Sequence, residues 1–356
     1  MPHRISFRRS QSSSGADGDD SQGLSKRLSA VAQDEAADAQ DVVRETAEII
    51  RRWIKDRPHS WEKDPQAAGE GLEAGMAEWV ARQGWRGCCA NFTQALRVAF
   101  AASEGKGLRA ELAEELGSWA SADTEYGGPL PSPKGLTPHV LKTLQRGEEI
   151  LIHGRSEAIL EATTRAQQAG LFPRVTLALS ACDQAGKRTA RQLSSQGVAV
   201  RLVWDAALIA CLASADHIWL ATEGIGPGAF ISRIGANSLV AEANRLEIPV
   251  SVLCTTDAVL PGGEIALPAW GDDEKWQLWS QGPEGVKIEA QPYQIIDARG
   301  VARWITEEGL QDLGDLCVRH QQLGAAPLCG STYDNKNVHA NTESAGLTTT
   351  PFSDDR

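Results

Sequence analysis

Five short, mostly apolar runs, EILIHG, RVTLALS, VAVRLVW, HIWLAT and PVSVLC, recur between residues 149 and 254, each separated from the next by an amphipathic segment. Near-continuous apolar runs of this length suit strands buried on both faces, and the segments between them carry helical spacing. SEAILEATTRAQQAG, GKRTARQLSSQG, DAALIACLAS and GANSLVAEANRLE are the predicted helices. Strands joined through helices run parallel, and their crossovers are right-handed. The predicted class is therefore α/β, with a Rossmann-like domain built on a mainly parallel sheet. In such sheets ligands lie beyond the carboxyl ends of the strands. This singles out His153 to Ser156, Ser180 to Lys187, Trp204 with Asp205, Thr222 to Arg233, and Cys254 to Gly263.

Ahead of the alternation the pattern is helical. DVVRETAEIIRRWIKD places Val43, Ala47, Ile50 and Ile54 on one face and stops before Pro58. GLEAGMAEWVARQ, NFTQALRVAFAAS and LRAELAEELGSWA continue in the same way, and TEYGGPLPSPKG reads as the connection to the sheet domain. The predicted organisation is a disordered tail over 1–40, a helical domain over 41–125, the Rossmann-like domain over 126–325 and a loose tail over 326–356. The first segment is assigned to a tail because its Ser, Gln, Asp and Arg content offers little apolar surface to offset the entropy of ordering. Trp270, Trp276 and Trp279 fall in an excursion between Ala269 and Ala290, where they either line a cleft or pack a flap.

Charge and cysteine content narrow the partners. With 47 acidic against 35 basic side chains the net charge is -12, which speaks against a general nucleic-acid binder, since phosphate backbones are held through Lys and Arg. No run approaches the roughly 20 apolar residues of a membrane helix, and the N-terminus lacks a secretory h-region, so a cytoplasmic location is expected. The seven cysteines contain no CxxC pair and read as reduced, mostly buried thiols. There is no GxSxG elbow, no HExxH, no GxGxxG and no Walker lysine loop, so neither a metal nor a cofactor is expected.

The segment TEGIGPGAFISRIGAN offers three early glycines followed by Ser232 and Arg233 before a helix, an arrangement able to receive a phosphate or to form a plain tight turn. His153 and Asp205 end predicted strands, where each can reach a bound sugar. His153 can equally be structural, and Asp205 a helix N-cap. Glu223 is the one carboxylate early in the glycine segment, available for acid or base work or simply solvent-facing. Arg86 and Gly87 precede a helix and can face an anion. Cys88 and Cys89 have no visible neighbouring base.

The succession of ILIHG, LVWDAA, the glycine segment and SRIGANSLVAEANRLEIPV resembles the superfamily that unites the regulatory subunits of translation initiation factor two-B with methylthioribose-phosphate and ribose-bisphosphate isomerases. Pro292-Tyr293 and Ile305-Thr306-Glu307 extend the likeness over roughly 140–315. The resemblance implies a helical N-terminal domain, pairing into a homodimer or with related subunits, and a phosphorylated sugar or nucleotide ligand. The isomerases carry a Cys where this chain has Gly154, directly after His153, and an Asp where counting back from the shared Ile-Gly reaches Thr222. Both proton-moving side chains are thus expected to be absent. A regulatory, non-catalytic protein is implied, with ligand contacts from Arg86, Gly87, His153, Gly154, Arg155, Gly186, Lys187, Asp205, Thr222, Ser232 and Arg233. The alternative is a divergent aldose-ketose isomerase using Glu223 and Cys182.

Overall fold

The computed structural model describes residues 21–33, 37–56, 64–102, 108–121, 129–181, 183–268, 278–279, 282–283 and 285–320. The first unit is helical: α1 (Ser21–Ala32), α2 (Ala39–Lys55), α3 (Pro65–Gln83), α4 (Gly87–Ala102) and α5 (Leu108–Ala120). Val43, Ala47, Ile50 and Ile54 all face the core, as their spacing predicts. The helix starts earlier than Asp41, because Asp38 caps it by accepting from the Gln40 amide at 3.0 Å.

The tail assigned to 1–40 is corrected from Ser21 onward. Leu24, Leu28 and Val31 recur at i, i+4 and i+7 and are buried, so α1 has an apolar stripe that composition averaging hides. α1 packs against α3, and Gly75 makes the approach possible: a Cβ there would stand 2.7 Å from a Leu24 methyl. Each such leucine contributes about 1.5–3 kcal/mol by leaving water. Residues 1–20 and the tail at 326–356 lie outside the described residues.

The second unit holds a seven-stranded sheet in the order β10-β9-β7-β4-β1-β2-β3. Its strands are β1 (Glu149–His153), β2 (Arg174–Ala178), β3 (Ala199–Val203), β4 (His217–Leu220), β7 (Val250–Leu253), β9 (Arg303–Thr306) and β10 (Gly309–Gln311). All neighbouring pairs are parallel except β9 with β10. The five sequence-read runs are therefore strands. Ile150 and Ile152 pack on one face of the sheet and Leu151 on the other, which is why the runs read as continuous rather than alternating. The chain runs β1 to β2 to β3 and then returns to β4 on the other side of β1, so the loops after β1 and β4 part there and open a crevice.

The crossovers include α7 (Glu157–Gln168), α8 (Ala185–Ser195) and α9 (Ala236–Arg245), preceded by the short α6 (Thr137–Leu141); α10 (Leu313–His320) follows β10. DAALIACLAS does not form the expected α-helix but two 3-10 segments, Asp205–Ala207 and Ile209–Ser214. Its expected N-cap is engaged elsewhere, because the Asp205 carboxylate accepts from the amides of Ser180 at 2.8 Å and Ala181 at 2.9 Å. The glycine segment takes the plainer of its two readings, a tight turn: it is a hairpin, β5 (Gly224–Gly226) and β6 (Ala229–Arg233), extended by β8 (Tyr293–Asp297) into an antiparallel sheet. Gly228, at φ +77°, supplies the positive torsion of the turn.

Candidate functional site

A narrow cleft opens where the carboxyl ends of β1, β4 and β7 meet the starts of α2 and α4. The sheet unit lines it with Arg155, Glu157, Thr222, Glu223, Cys254, Thr255 and Asp257, and the helical unit with Asp38, Gln40 and Cys88. The helical unit thus roofs the site that the sheet topology creates.

Polar contacts fasten the roof. Asp38 caps α2 with one carboxylate oxygen and receives the Glu157 amide, at the start of α7, at 3.3 Å with the other. The Gln40 Nε2 group donates to Pro131 O at 3.1 Å, Thr255 Oγ1 at 3.3 Å and Asp257 Oδ2 at 3.2 Å. Asn91 Nδ2 donates to the carbonyls of Asp257 and Val259 at 2.9 and 2.8 Å. On the sheet side, Thr256 Oγ1 donates to the Glu307 carboxylate at 2.5 Å.

Arg86 is not an anion receptor held open to solvent. Its residue is 3% exposed, and Nε donates to Glu223 Oε2 at 2.7 Å, Nη1 to Gln83 Oε1 at 3.2 Å and Nη2 to Ala37 O at 3.1 Å. Burial opposes its charge, yet the facing Glu223 together with the further acidic groups around it, Asp38 among them, outweighs burial and holds the guanidinium protonated more firmly than usual. The Gly87 amide donates to Glu223 O at 2.6 Å, and a Cβ at Gly87 would fall 2.1 Å from Ala258 O. Both residues join the two units. Glu223, read from sequence as a possible acid, base or solvent-facing charge, is instead the other half of this clamp, with Tyr293 donating to it at 3.5 Å.

The remaining sequence-read residues divide in the same way. Gly154 has φ +88°, and a Cβ there would come 2.9 Å from Ala221 Cβ, so the backbone rejects a side chain at this place, in line with the expected absence of a thiol. Thr222 lines the cleft, but its hydroxyl is turned back to the Ile231 carbonyl at 2.8 Å and the Gly224 carbonyl at 3.1 Å. Ser232 is buried and donates to Ala221 O at 2.7 Å. Arg233 donates to Asp183 at 2.5 Å and stacks over the Tyr293 ring at 4.3 Å. His153 is buried with Nε2 3.1 Å from Ile234 O, and burial lowers its pKa, so the ring is neutral at pH 7. Gly186 is fixed by packing, since a Cβ would lie 1.9 Å from Ala178 O. Lys187 is exposed, with Nζ donating to Gln184 at 3.2 Å. Cys182, Trp270 and Trp276 lie outside the described residues, and Trp279 is half exposed.

Arg155 pairs with Glu157 at 2.5 Å and lines both the cleft and a narrow, water-sized recess between the carboxyl ends of β1 and β2. Burial raises the pKa of Glu157 despite that guanidinium, and it raises Asp257 despite hydrogen bonds from Thr255, Cys88 and Gln40. The buried thiols behave likewise: Cys88 and Cys254 are pushed well up, and Cys89 to about 12. They are protonated at neutral pH, so none is a ready nucleophile. Sequence reading missed Asp38, Gln40, Glu157 and Asp257. Asp38 carried the signal of an N-cap before an apolar periodic run, whereas the others acquire meaning only by convergence in space. Among the described residues no group of three or more His, Cys, Asp or Glu could hold a metal ion, and no helix is long and apolar enough to cross a membrane.

Residues 134–310 match the sequence profile of the Initiation factor 2 subunit family. The chain belongs to this family. Its helical unit followed by a mainly parallel sheet recurs in the Pyrococcus horikoshii OT3 translation initiation factor eIF-2B, with TM-score 0.65 at 17% identity over 81% of this chain and 96% of that one. It recurs also in the tetrameric eIF2B-beta2-delta2 complex from C. thermophilum, with TM-score 0.60 at 14% identity over 84% of this chain and 94% of that one. At these identities the likeness is one of fold. Among curated proteins, ribose 1,5-bisphosphate isomerase of Methanocaldococcus jannaschii is 24% identical over 171 residues, which span 47% of this chain and 56% of the relative.

Proposed function

We propose that this initiation factor 2 family member is a non-catalytic, regulatory subunit that binds a phosphorylated sugar or nucleotide in its cleft and pairs with a second copy or a related subunit. The observation that carries this reading is the state of the two places where an isomerase would move protons. Gly154 holds a backbone that rejects a side chain, the second place is Thr222 with its hydroxyl turned back to the Gly224 and Ile231 carbonyls, and the neighbouring Glu223 is locked against buried Arg86. Sugar isomerisation needs an acid and a base free to exchange protons with substrate, and neither place supplies one.

Pairing is supported by β3. It forms one edge of the large sheet, and Leu202, Trp204 and Ile209 are exposed on and just after it, Trp204 at 73%.

A second reading, an aldose-ketose isomerase with displaced machinery, draws on one observation: the Cys88 thiol and the Asp257 carboxylate line the cleft together. The two readings part on turnover. Ribose 5-phosphate and ribose 1,5-bisphosphate, incubated with the full chain in deuterium oxide, should bind and acquire no carbon-bound deuterium. Exchange that disappears in Asp257→Asn would replace the regulatory reading with the catalytic one.

A further inference from the structure

We propose that the helical unit carries a second binding site, for an inorganic oligophosphate, in the groove between the last two turns of α2 and the first turns of α5. The groove lies at the end of α2 remote from the cleft, and the inference goes beyond the reading above without depending on it.

The groove holds about 480 Å³, a volume within the usual range for small-molecule sites, and is lined by Glu48, Arg51, Arg52 and Lys55 of α2 and by Arg109 of α5. Four cations against one carboxylate leave a surplus of three positive charges, in a chain whose net charge is -12. Helical spacing builds the α2 wall: Glu48, Arg51, Arg52 and Lys55 stand three and four apart, so all of them project on one side. Glu48 organises the arginines. Its carboxylate accepts from Arg51 Nε at 2.8 Å and from Arg52 Nε at 2.6 Å, and Arg51 above all holds its carboxyl below the ordinary pKa. Each guanidinium is thus gripped at one edge only. Among the described residues the Nη groups of Arg51 and Arg52 and the Nζ group of Lys55 donate to no protein acceptor. The Arg51 stem crosses α5 at Gly117, where a Cβ would stand 4.0 Å from Arg51 Cδ. The carbonyl end of α2 would repel an anion, but Arg109 Nη2 donates to Lys55 O at 3.1 Å and partly caps it.

An ordinary solvated helix face mixes charges of both signs. Here the remaining acidic side chains of the two helices, Asp41, Glu45, Glu111, Glu114 and Glu115, do not line the groove. The free guanidinium edges present paired N–H donors that match phosphoryl oxygens. A surplus of three charges facing one volume is met by a ligand that carries at least three, which a single phosphate does not. No aromatic ring lines the groove; its apolar lining is Ile54, Ala110 and Ala113, so a nucleobase would find nothing to stack on. A short chain of phosphates without a nucleoside is the ligand that these features select.

The test is calorimetric titration of the full chain with tripolyphosphate, orthophosphate, ATP and a hexaglutamate peptide, free of divalent cations, and repeated with excess ribose 5-phosphate present. Tripolyphosphate should bind at least about tenfold more tightly than orthophosphate or hexaglutamate and no less tightly than ATP, and its affinity should fall as salt is raised. Arg52→Gln and Lys55→Gln should each weaken it about fivefold, the scale of one exposed charge-assisted contact. Glu48→Gln should tighten it, because loss of the one carboxylate raises the surplus to four. A damaged fold would weaken binding in all three variants, so the opposite signs separate the site from the scaffold. Affinity unchanged in all three overturns the inference, and so does displacement by ribose 5-phosphate, which would place the anion in the cleft. ATP bound tenfold more tightly than tripolyphosphate, or hexaglutamate bound equally well, overturns it too, the first in favour of a nucleotide and the second in favour of an acidic protein segment.

Discussion

Replacing Arg86 with methionine is the most direct probe of how the two units are joined. The substitution keeps most of the buried stem and deletes the guanidinium, leaving Glu223 at 13% side-chain exposure without its cation and orphaning Gln83 Oε1 and Ala37 O. Breaking one side of a buried pair costs about 3–5 kcal/mol, because the charge left behind stays desolvated. The orphaned acceptors push the loss toward the upper end. In urea unfolding of the full chain, Arg86→Met should lower the unfolding free energy by about 4 kcal/mol, and in a thermal scan lower Tm by on the order of 10 °C. Arg86→Met with Glu223→Gln removes the stranded charge as well and should recover roughly half of that loss. A single-variant loss below about 1 kcal/mol, or a double variant no more stable than the single, would show that solvent screens the pair and that the clamp is not what holds the roof. Loss of ligand binding without loss of stability would return Arg86 to the role of an anion receptor.

Asp257→Asn should stabilise the protein at pH 7 and above. Burial raises the Asp257 pKa, so the folded state favours the proton; that contribution is complete below the ordinary carboxylate pKa of about 4 and is lost as pH rises through the raised value. Asparagine keeps hydrogen-bonding capacity without the charge, so its advantage should fade as pH falls, and a Tm below wild type at pH 7 would contradict the account. Trp204→Asp places a charge beside the exposed β3 edge and should shift light-scattering mass from dimer to monomer at micromolar protein. A wild-type chain that is already monomeric would remove the pairing proposal.

The sheet was legible in the sequence because strands buried on both faces leave unbroken apolar runs, and β1, β2, β4 and β7 stand where those runs do, while the edge strand β3 reads alike although it is largely exposed. α1 was not, since four apolar core residues among twelve, Leu24, Leu28, Val31 and Ala32, are diluted in a Ser-rich and Asp-rich neighbourhood even though the first three keep helical order. Glycines in TEGIGPGAF suggested a ligand loop, but a hairpin needs small residues and a positive-φ turn for reasons of its own. Site residues were the least legible. Arg86 and Glu223 are 137 positions apart, and Gln40 and Asp257 are 217 apart. A side chain whose meaning lies in a partner brought from such a distance looks, in one dimension, like any other charge or amide.

One carboxylate at Asp38 begins α2 and also receives the first amide of α7, so two helices from different units share a single terminus. An occupant that drew this group toward itself would loosen both at once. α2 has 17 residues, so a tilt begun at that terminus would be felt about 25 Å away, at the far end of the helix. Filling the crevice would thus be announced on the outer surface of the bundle, a means of signalling to a neighbouring protein that needs no chemistry at all.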